Sequence, residues 1–245
     1  MSSRRKTLNT YSTMSQEDVR NSLRNFYGIQ LDEHQKKFRD SIWSESKLIT
    51  FCNACSGSGK TTVALGTACL LYYSGRYSRI IYVISPTMEQ KTGYLPGNVE
   101  EKAAPYLEPL NCTLTTLGMN PVSVITQEEY SNKDGNAFIR AIPHTYLRGI
   151  TFPDNSIIIL DESQNFYISE IKKVLTRIND TCKVIVIGHT GQLDLFKNPS
   201  NSGFLPAINL FKSKEDARVD FCELKINHRG WISTVADELE SEIAI

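Results

Sequence analysis

The chain is most simply bounded by what it does not contain. No uninterrupted apolar run approaches the length of a membrane-spanning helix. Neither sign of charge is in excess: 27 basic and 27 acidic residues cancel over 245 positions, so no global field argues for nucleic acid or a membrane surface, and only a local basic stripe could. The four histidines, His34, His144, His189 and His228, are dispersed without paired-ligand spacing, which argues against a zinc enzyme. The Gly-x-Ser-x-Gly elbow of serine hydrolases is absent, as is any internal repeat. Six cysteines are scattered. Cys52 and Cys55 have redox or zinc spacing but no second pair completes a zinc site, so all six read as reduced thiols. The basic start, Arg4-Arg5-Lys6, is followed by polar residues and not by the apolar core of a leader, so the expected compartment is the cytoplasm.

What is present is ordinary for a globular protein: 40% apolar and 22% charged residues. The length suits one α/β domain with a full core and an N-terminal extension. Residues 1–20, rich in Ser, Thr, Asn and Arg, read as a flexible arm; residues 21–245 read as a single domain with an insertion at about 88–150.

The domain is organised around residues 48–71. An apolar strand, Leu48–Cys52, leads into the turn Ala54-Cys55-Ser56-Gly57-Ser58-Gly59-Lys60-Thr61-Thr62 and then into an apolar helix. Small residues let such a turn curl around a phosphate with its N–H groups inward, and the helix start adds its positive dipole end. Lys60 would reach the β- and γ-phosphates of a nucleotide, and the Thr61 hydroxyl would hold a magnesium ion. Ala54 stands where the strict motif has its first glycine, a departure of one methyl group. Cys55, inside the loop, could act as an oxidisable brake on nucleotide binding.

A second signal is Ser156-Ile157-Ile158-Ile159-Leu160-Asp161-Glu162, an apolar strand that delivers two carboxylates at its tip. Asp161 would bind magnesium directly or through water, and Glu162 would polarise the attacking water. An acidic helix cap is the plainer reading of such a pair alone; the upstream phosphate loop displaces it. Arg79–Ile84 and Lys183–Gly188 read as further buried parallel strands, and Arg218–Leu224 as a fifth strand. Gln192, in the exit loop of Lys183–Gly188, could sense the γ-phosphate or orient water. Arg229 could be an arginine finger or a surface partner of a carboxylate. Gln35, on a helix upstream, could read adenine through its amide or be a solvated surface residue. Ser85 and Thr87, after Ile84, could bond a nucleic-acid phosphate or form a simple turn.

Elsewhere, Gly93–Leu110 is too proline-punctuated for one long helix and suggests a surface excursion with short helices. Val122–Ile125 and Ala137–Ala141 look like strands, with hairpin chemistry at Asp134-Gly135 between them, and residues 231–245 form a terminal helix.

A more specific series runs through the chain: Gly93-Tyr94-Leu95-Pro96-Gly97-Asn98-Val99-Glu100-Glu101-Lys102, Pro105-Tyr106-Leu107-Glu108-Pro109-Leu110, Tyr146-Leu147-Arg148-Gly149, Asp161-Glu162-Ser163-Gln164-Asn165, Leu175-Thr176-Arg177-Ile178 and Gln192-Leu193-Asp194-Leu195. With the phosphate loop it resembles the PhoH family of P-loop ATPases, related to the ATPase core of superfamily 1 helicases, from about Gln35 onward. The resemblance implies a RecA-like P-loop NTPase of α/β class, with a mostly parallel central sheet flanked by helices and a small insertion that could carry a β-hairpin. It implies ATP and magnesium as ligands, and supports the roles of Gln35, Gln192 and Arg229. Family members often carry an acidic residue where this chain has His189.

The expected activity is hydrolysis of ATP to ADP and phosphate, coupled to single-stranded RNA or DNA binding or to helicase-like remodelling. Helicases of the related superfamily close ATP between two RecA-like domains and only one fits this length, so the resemblance implies a homo-oligomer in which a neighbouring subunit completes the site, a hexameric ring among the options, with Arg229 acting in cis or from a neighbour. The alternatives are a nucleotide-gated scaffold and, less well supported, a small-molecule kinase.

Overall fold

The computed structural model describes residues 14–84, 99–126, 137–144, 147, 151–191 and 201–236, with backbone alone at 99–106. Seven strands form one sheet: β1 (Ile49–Ala54), β2 (Arg79–Ile84), β3 (Ile125–Thr126), β4 (Ile139–Pro143), β5 (Ser156–Leu160), β6 (Lys183–Gly188) and β7 (Val219–Leu224). Their order across the sheet is β3-β4-β2-β5-β6-β1-β7, and every pairing within it is parallel. Eight helices accompany them among the described residues: α1 (Gln16–Asn25), α2 (Glu33–Trp43), α3 (Lys60–Tyr73), α4 (Val99–Thr116), α5 (Pro121–Val124), α6 (Ile168–Leu175), α7 (Phe204–Lys212) and α8 (Trp231–Ala236). This is the α/β fold expected of a RecA-like P-loop domain.

The continuous apolar runs of the strands follow from burial on both faces. Ile80, Tyr82, Ile157, Ile159, Ile185 and Ile187 point to one side, where they pack with Phe26, Phe38 and Ile42 and with Val63, Leu65 and Leu71 of α3. Their alternate neighbours Ile81, Val83, Ile158, Leu160, Val184 and Val186 point to the other, against Phe166, Ile171, Phe204 and Ile208. Helix α3 is buried over nine consecutive residues, Val63 to Leu71, so the helix that begins at Lys60 cannot shift without opening the core.

Three expectations are corrected. Helix α4 runs unbroken through Pro105 and Pro109. The two prolines are four residues apart, so the N–H that Pro109 lacks is the one that would have bonded the Pro105 carbonyl, and the buried Leu110 and Leu114 anchor the following turns. The expected hairpin is not formed by its two strands: residues 121–124 are a helical turn, and β3 pairs with β4 in parallel, Ile125 opposite Ile139. Parallel neighbours need a crossover and not a two-residue turn; Asp134-Gly135 itself lies outside the described residues. The first helix starts at Gln16, capped by Ser15, so residues 16–20 belong to an ordered element, with Val19 buried. Of the terminal helix, Trp231–Ala236 is described.

The edge of the sheet remote from the phosphate loop carries a buried cation. Lys183, 1% exposed, donates from Nζ to the carbonyls of Ser44 at 2.7 Å and Lys47 at 2.6 Å, fixing the chain that enters β1. Burial, with Arg76 adding, pulls its pKa down to about 8. The folded state therefore holds this proton less tightly than the unfolded chain, and stability contributed by Lys183 rises as pH increases through about 8 towards the ordinary lysine range near 10.4. Denaturant unfolding of the wild type at pH 7, 8 and 10 should show that gain, and Lys183→Met should abolish it; an identical slope in both would refute the assignment.

Candidate active site

The phosphate loop is the link between the C-terminal tip of β1 and the start of α3. Ala54 ends β1 in extended backbone, in register with Leu224; a side chain is tolerated there because nothing requires a positive φ. Gly57 and Gly59 do require one, with φ of 65° and 75°. Gly59 caps α3 with no side-chain cap on its first turn, which leaves the helix start to a ligand.

The loop is fixed by bonds made on its outer side. Cys55 N–H donates to Leu224 O at 2.9 Å, and His228 N–H donates to Gly57 O at 3.0 Å. Gln35 donates from Nε2 to Ser58 O at 2.8 Å, and the Ser58 hydroxyl donates to Cys55 O at 2.7 Å. Arg229 donates from Nη1 to Ser56 Oγ at 3.2 Å, so its guanidinium reaches the loop of its own chain. The two outer supports are tied together, because Asp32, which caps α2 and whose N–H bonds Gln35 Oε1 at 3.0 Å, lies 2.8 Å from His228 Nε2. Burial pushes the Asp32 carboxyl up, but the Gln35 N–H and the His228 ring outweigh it and hold it below its ordinary range. Gln35 is buried, which removes the solvated-surface reading of that residue.

At the neighbouring strand tips, β5 delivers Asp161 and Glu162. Lys60 Nζ stands 3.1 Å from Glu162 Oε1, and Thr61 Oγ1 donates to Asp161 Oδ2 at 2.9 Å. Burial pulls the Lys60 ammonium down, but Glu162 and Asp161 outweigh that and hold its pKa above the usual lysine value, so it stays charged. The Asp161 carboxyl is pushed up by burial and by Glu162. It accepts from the Tyr82 hydroxyl as well as from Thr61, and from the Glu162 N–H at 2.8 Å. Glu162 itself holds φ 49°, a left-handed conformation that costs a non-glycine residue on the order of 1 kcal/mol or more.

The oxygen donors fit a magnesium ion, which takes one or two carboxylates together with phosphate oxygens. Thr61 Oγ1 and Asp161 Oδ2 would hold it. Among the described residues no group of three or more His, Cys, Asp or Glu forms a metal cage.

Lys60, Thr61, Asp161, Glu162, Gln35 and Arg229 thus converge on one loop, whereas Gln192, Ser85 and Thr87 lie outside the described residues. The sequence pattern gives no role to Tyr82, Gln164 or Asn53. Tyr82 is the one polar-tipped side chain inside an apolar strand, a signal that could have marked it. Asn53 binds the residue after His189, accepting from Thr190 N–H at 3.0 Å, and nothing local in the sequence announces that.

A Cβ at Gly57 would stand 2.5 Å from Asn227 Oδ1 and 2.9 Å from Arg229 Cγ. Gly57→Ala should therefore still fold, with a melting temperature about 2–8 °C lower from left-handed strain of about 1–2 kcal/mol, and weaken binding of a fluorescent adenine nucleotide about tenfold or more as the loop and Arg229 are displaced. Unaltered binding would show that the loop tolerates a different path.

The profile of a family described as PhoH-like protein matches residues 29–234. A PhoH-like protein of Mycobacterium bovis is 32% identical over 207 residues, covering 83% of this chain and 55% of the relative. Protein PhoH of Escherichia coli K12 is 33% identical over 174 residues, 70% of this chain and 47% of the relative. A PhoH-like protein of Synechocystis is 34% identical over 178 residues, 72% and 51% respectively. The chain spans about half the length of these curated relatives. Its parallel sheet, its phosphate loop and this extent of matching together establish that the chain belongs to the PhoH family.

Proposed function

We propose that this domain hydrolyses ATP to ADP and phosphate with magnesium bound between Thr61 and Asp161. The observation that carries the reading is the convergence of Lys60 on Glu162 and of Thr61 on Asp161, at 3.1 and 2.9 Å, beside an uncapped helix start. Loop N–H groups and Lys60 would cradle the phosphates, and Arg229, across Ser56, would face the γ-phosphate from the same chain. The ion, when bound, neutralises charge on the β- and γ-phosphate oxygens.

In the proposed reaction Lys60 exchanges its Glu162 partner for phosphate oxygens. That frees Glu162 Oε1, on a side chain 44% exposed and open to water. Glu162 then takes a proton from water as the water oxygen bonds to the γ-phosphorus; the bond from that phosphorus to the bridging oxygen breaks, and the electron pair leaves with ADP. Glu162 at a hydrolytic position favours water over a small-molecule acceptor. An adenine-reading role for Gln35 would use its second Nε2 hydrogen, the first being committed to Ser58 O. Coupling to single-stranded RNA or DNA rests on the family resemblance and on Ser85 and Thr87, which lie outside the described residues, and a homo-oligomeric assembly rests on the resemblance and on a length that fits one RecA-like domain.

Glu162→Gln should retain nucleotide binding within about threefold while phosphate release falls about a hundredfold or more, as loss of a general base does. Lys60→Ala should lose binding as well. Phosphate release by Glu162→Gln at the wild-type rate would refute the assigned base, and a phosphorylated acceptor without free phosphate would refute hydrolysis. Stimulation by homopolymer RNA or single-stranded DNA tests the coupling, and no stimulation by either removes it.

A further inference from the structure

Glu162 has a second partner that the reaction above does not use. Its Oε2 accepts from Gln164 Nε2 at 2.6 Å. The other end of the same amide, Oε1, accepts from the backbone N–H of His189 at 3.0 Å, immediately after β6. Gln164 is completely buried, on the short helical turn Ser163–Asn165 that follows the two carboxylates. There its amide spans the gap between the tips of two adjacent strands, β5 and β6. A buried side-chain amide with donor and acceptor both engaged has one orientation, since a flip would set N–H against N–H and oxygen against carboxylate.

The surroundings confirm how tightly the crossbar is built in. A Cβ on Gly188, the last residue of β6, would lie 2.9 Å from Gln164 Oε1, 3.0 Å from the Phe204 ring and 3.1 Å from Gln164 N. The glycine before His189 is thus explained by space for this amide, since its φ is not in the left-handed region. One residue beyond His189, Thr190 is held by Asn53, whose Nδ2 donates to Thr190 Oγ1 at 3.1 Å and whose Oδ1 accepts from Thr190 N–H. The exit of β6 is therefore bolted on one side to the strand that leads into the phosphate loop and on the other, through Gln164, to Glu162. The charged and titratable groups facing Glu162 are Lys60 from α3, Asp161 beside it and Tyr82 from β2, with Arg229 beyond Lys60.

We propose that Gln164 is a positioning residue for hydrolysis, holding the Glu162 carboxylate by its Oε2 and locking its direction to the exit of β6. The inference rests on the hydrolytic reading of Glu162. When Lys60 turns to phosphate, Glu162 loses one of its two restraints, and the Gln164 bond is the one that keeps Oε1 aimed at the site. Movement of the β6 exit would be passed to the base through a single rigid amide.

Two measurements test this, and one does not depend on turnover. In the intact chain, NMR of the Gln164 side-chain amide and the His189 backbone amide should show both signals displaced in Glu162→Ala, and His189 amide exchange should quicken in Gln164→Met; signals and exchange that stay as in the wild type overturn the proposal. In steady state, Gln164→Met should lower kcat about ten- to a hundredfold with KM within about twofold. A Gln164→Met protein with wild-type kcat, or with its loss confined to KM, also overturns it. Gly188→Ala, which crowds the amide without removing it, should show the same kcat-selective loss to a smaller degree and serves if Gln164→Met does not fold. Absence of phosphate release by the wild type would sink the hydrolytic reading separately, leaving the NMR link between Glu162, Gln164 and His189 to stand or fall by itself.

Discussion

A phosphate loop has to satisfy two opposed demands: its N–H groups must remain free for a ligand, and its backbone must not move. This structure ties the loop down mainly through its carbonyls, and of its N–H groups those of Cys55 and Ser58 are spent on Leu224 O and Cys55 O. The carbonyls of Cys55, Gly57 and Ser58 are taken by the Ser58 hydroxyl, the His228 N–H and the Gln35 amide. A peptide whose oxygen is anchored outward presents its neighbouring N–H groups inward, and positive φ at Gly57 and Gly59 makes that path accessible. The Ser58 hydroxyl belongs to the loop itself; the other two anchoring groups come from α2 and from the segment after β7, which are distant in sequence and meet through Asp32 and His228. The loop is thus rigid because two remote pieces of chain fold against it, and the long buried face of α3 carries that rigidity into the core.

The parts of this design that are periodic or contiguous were legible beforehand. β2 and β6 fall where their apolar runs stand, and β1, β5 and β7 differ from expectation by a residue or two at their ends. Asp161 and Glu162 sit at the tip of their strand beside Lys60 and Thr61. Such features depend on local pattern and on the rule that parallel sheets gather ligands at their C-terminal edge. The pieces that were not legible depend on tertiary contact. Gln164 lies within a motif that the sequence displays, yet its partners are a neighbouring side chain and a backbone N–H 25 positions away. Tyr82 acquires its meaning only when β2 and β5 are adjacent. Proline punctuation misled at α4 because buried leucines outweighed two lost hydrogen bonds, and turn chemistry misled at β3 and β4 because a plausible turn does not determine strand direction.

The electrostatics of the site pair both carboxylates with donors from neighbouring elements. Asp161 is buried and crowded by Glu162, and three donors, Tyr82, Thr61 and the Glu162 N–H, satisfy it. Lys60 neutralises Glu162 and is itself held charged by the pair. Two of these bonds occupy groups that the proposed reaction needs elsewhere: Thr61 to Asp161, whose oxygens would serve a metal ion, and Lys60 to Glu162, which would serve phosphate and water. In the proposed reaction the Lys60–Glu162 and Thr61–Asp161 contacts would give way to contacts with the ligand, and Glu162 would be left with Gln164 and water as its partners.

That exchange also explains why the remaining contacts of the two carboxylates matter more than their number suggests. Thr61 and Lys60 are the partners that would turn to the ligand; Tyr82 and the Glu162 N–H on Asp161, and Gln164 on Glu162, are the partners that would stay. Tyr82 is rooted in β2, and Gln164 is wedged between β5 and β6 with no room for a side chain at Gly188. A carboxylate that loses one partner and keeps another can change its electrostatic role without changing its place. Aim is what a general base requires, because proton transfer falls off steeply once donor and acceptor leave hydrogen-bond distance. The strained left-handed backbone at Glu162 fits the same constraint: it turns two consecutive carboxylates from one strand tip toward Thr61 and toward Lys60, at a local cost that the buried turn from Ser163 to Asn165 sustains.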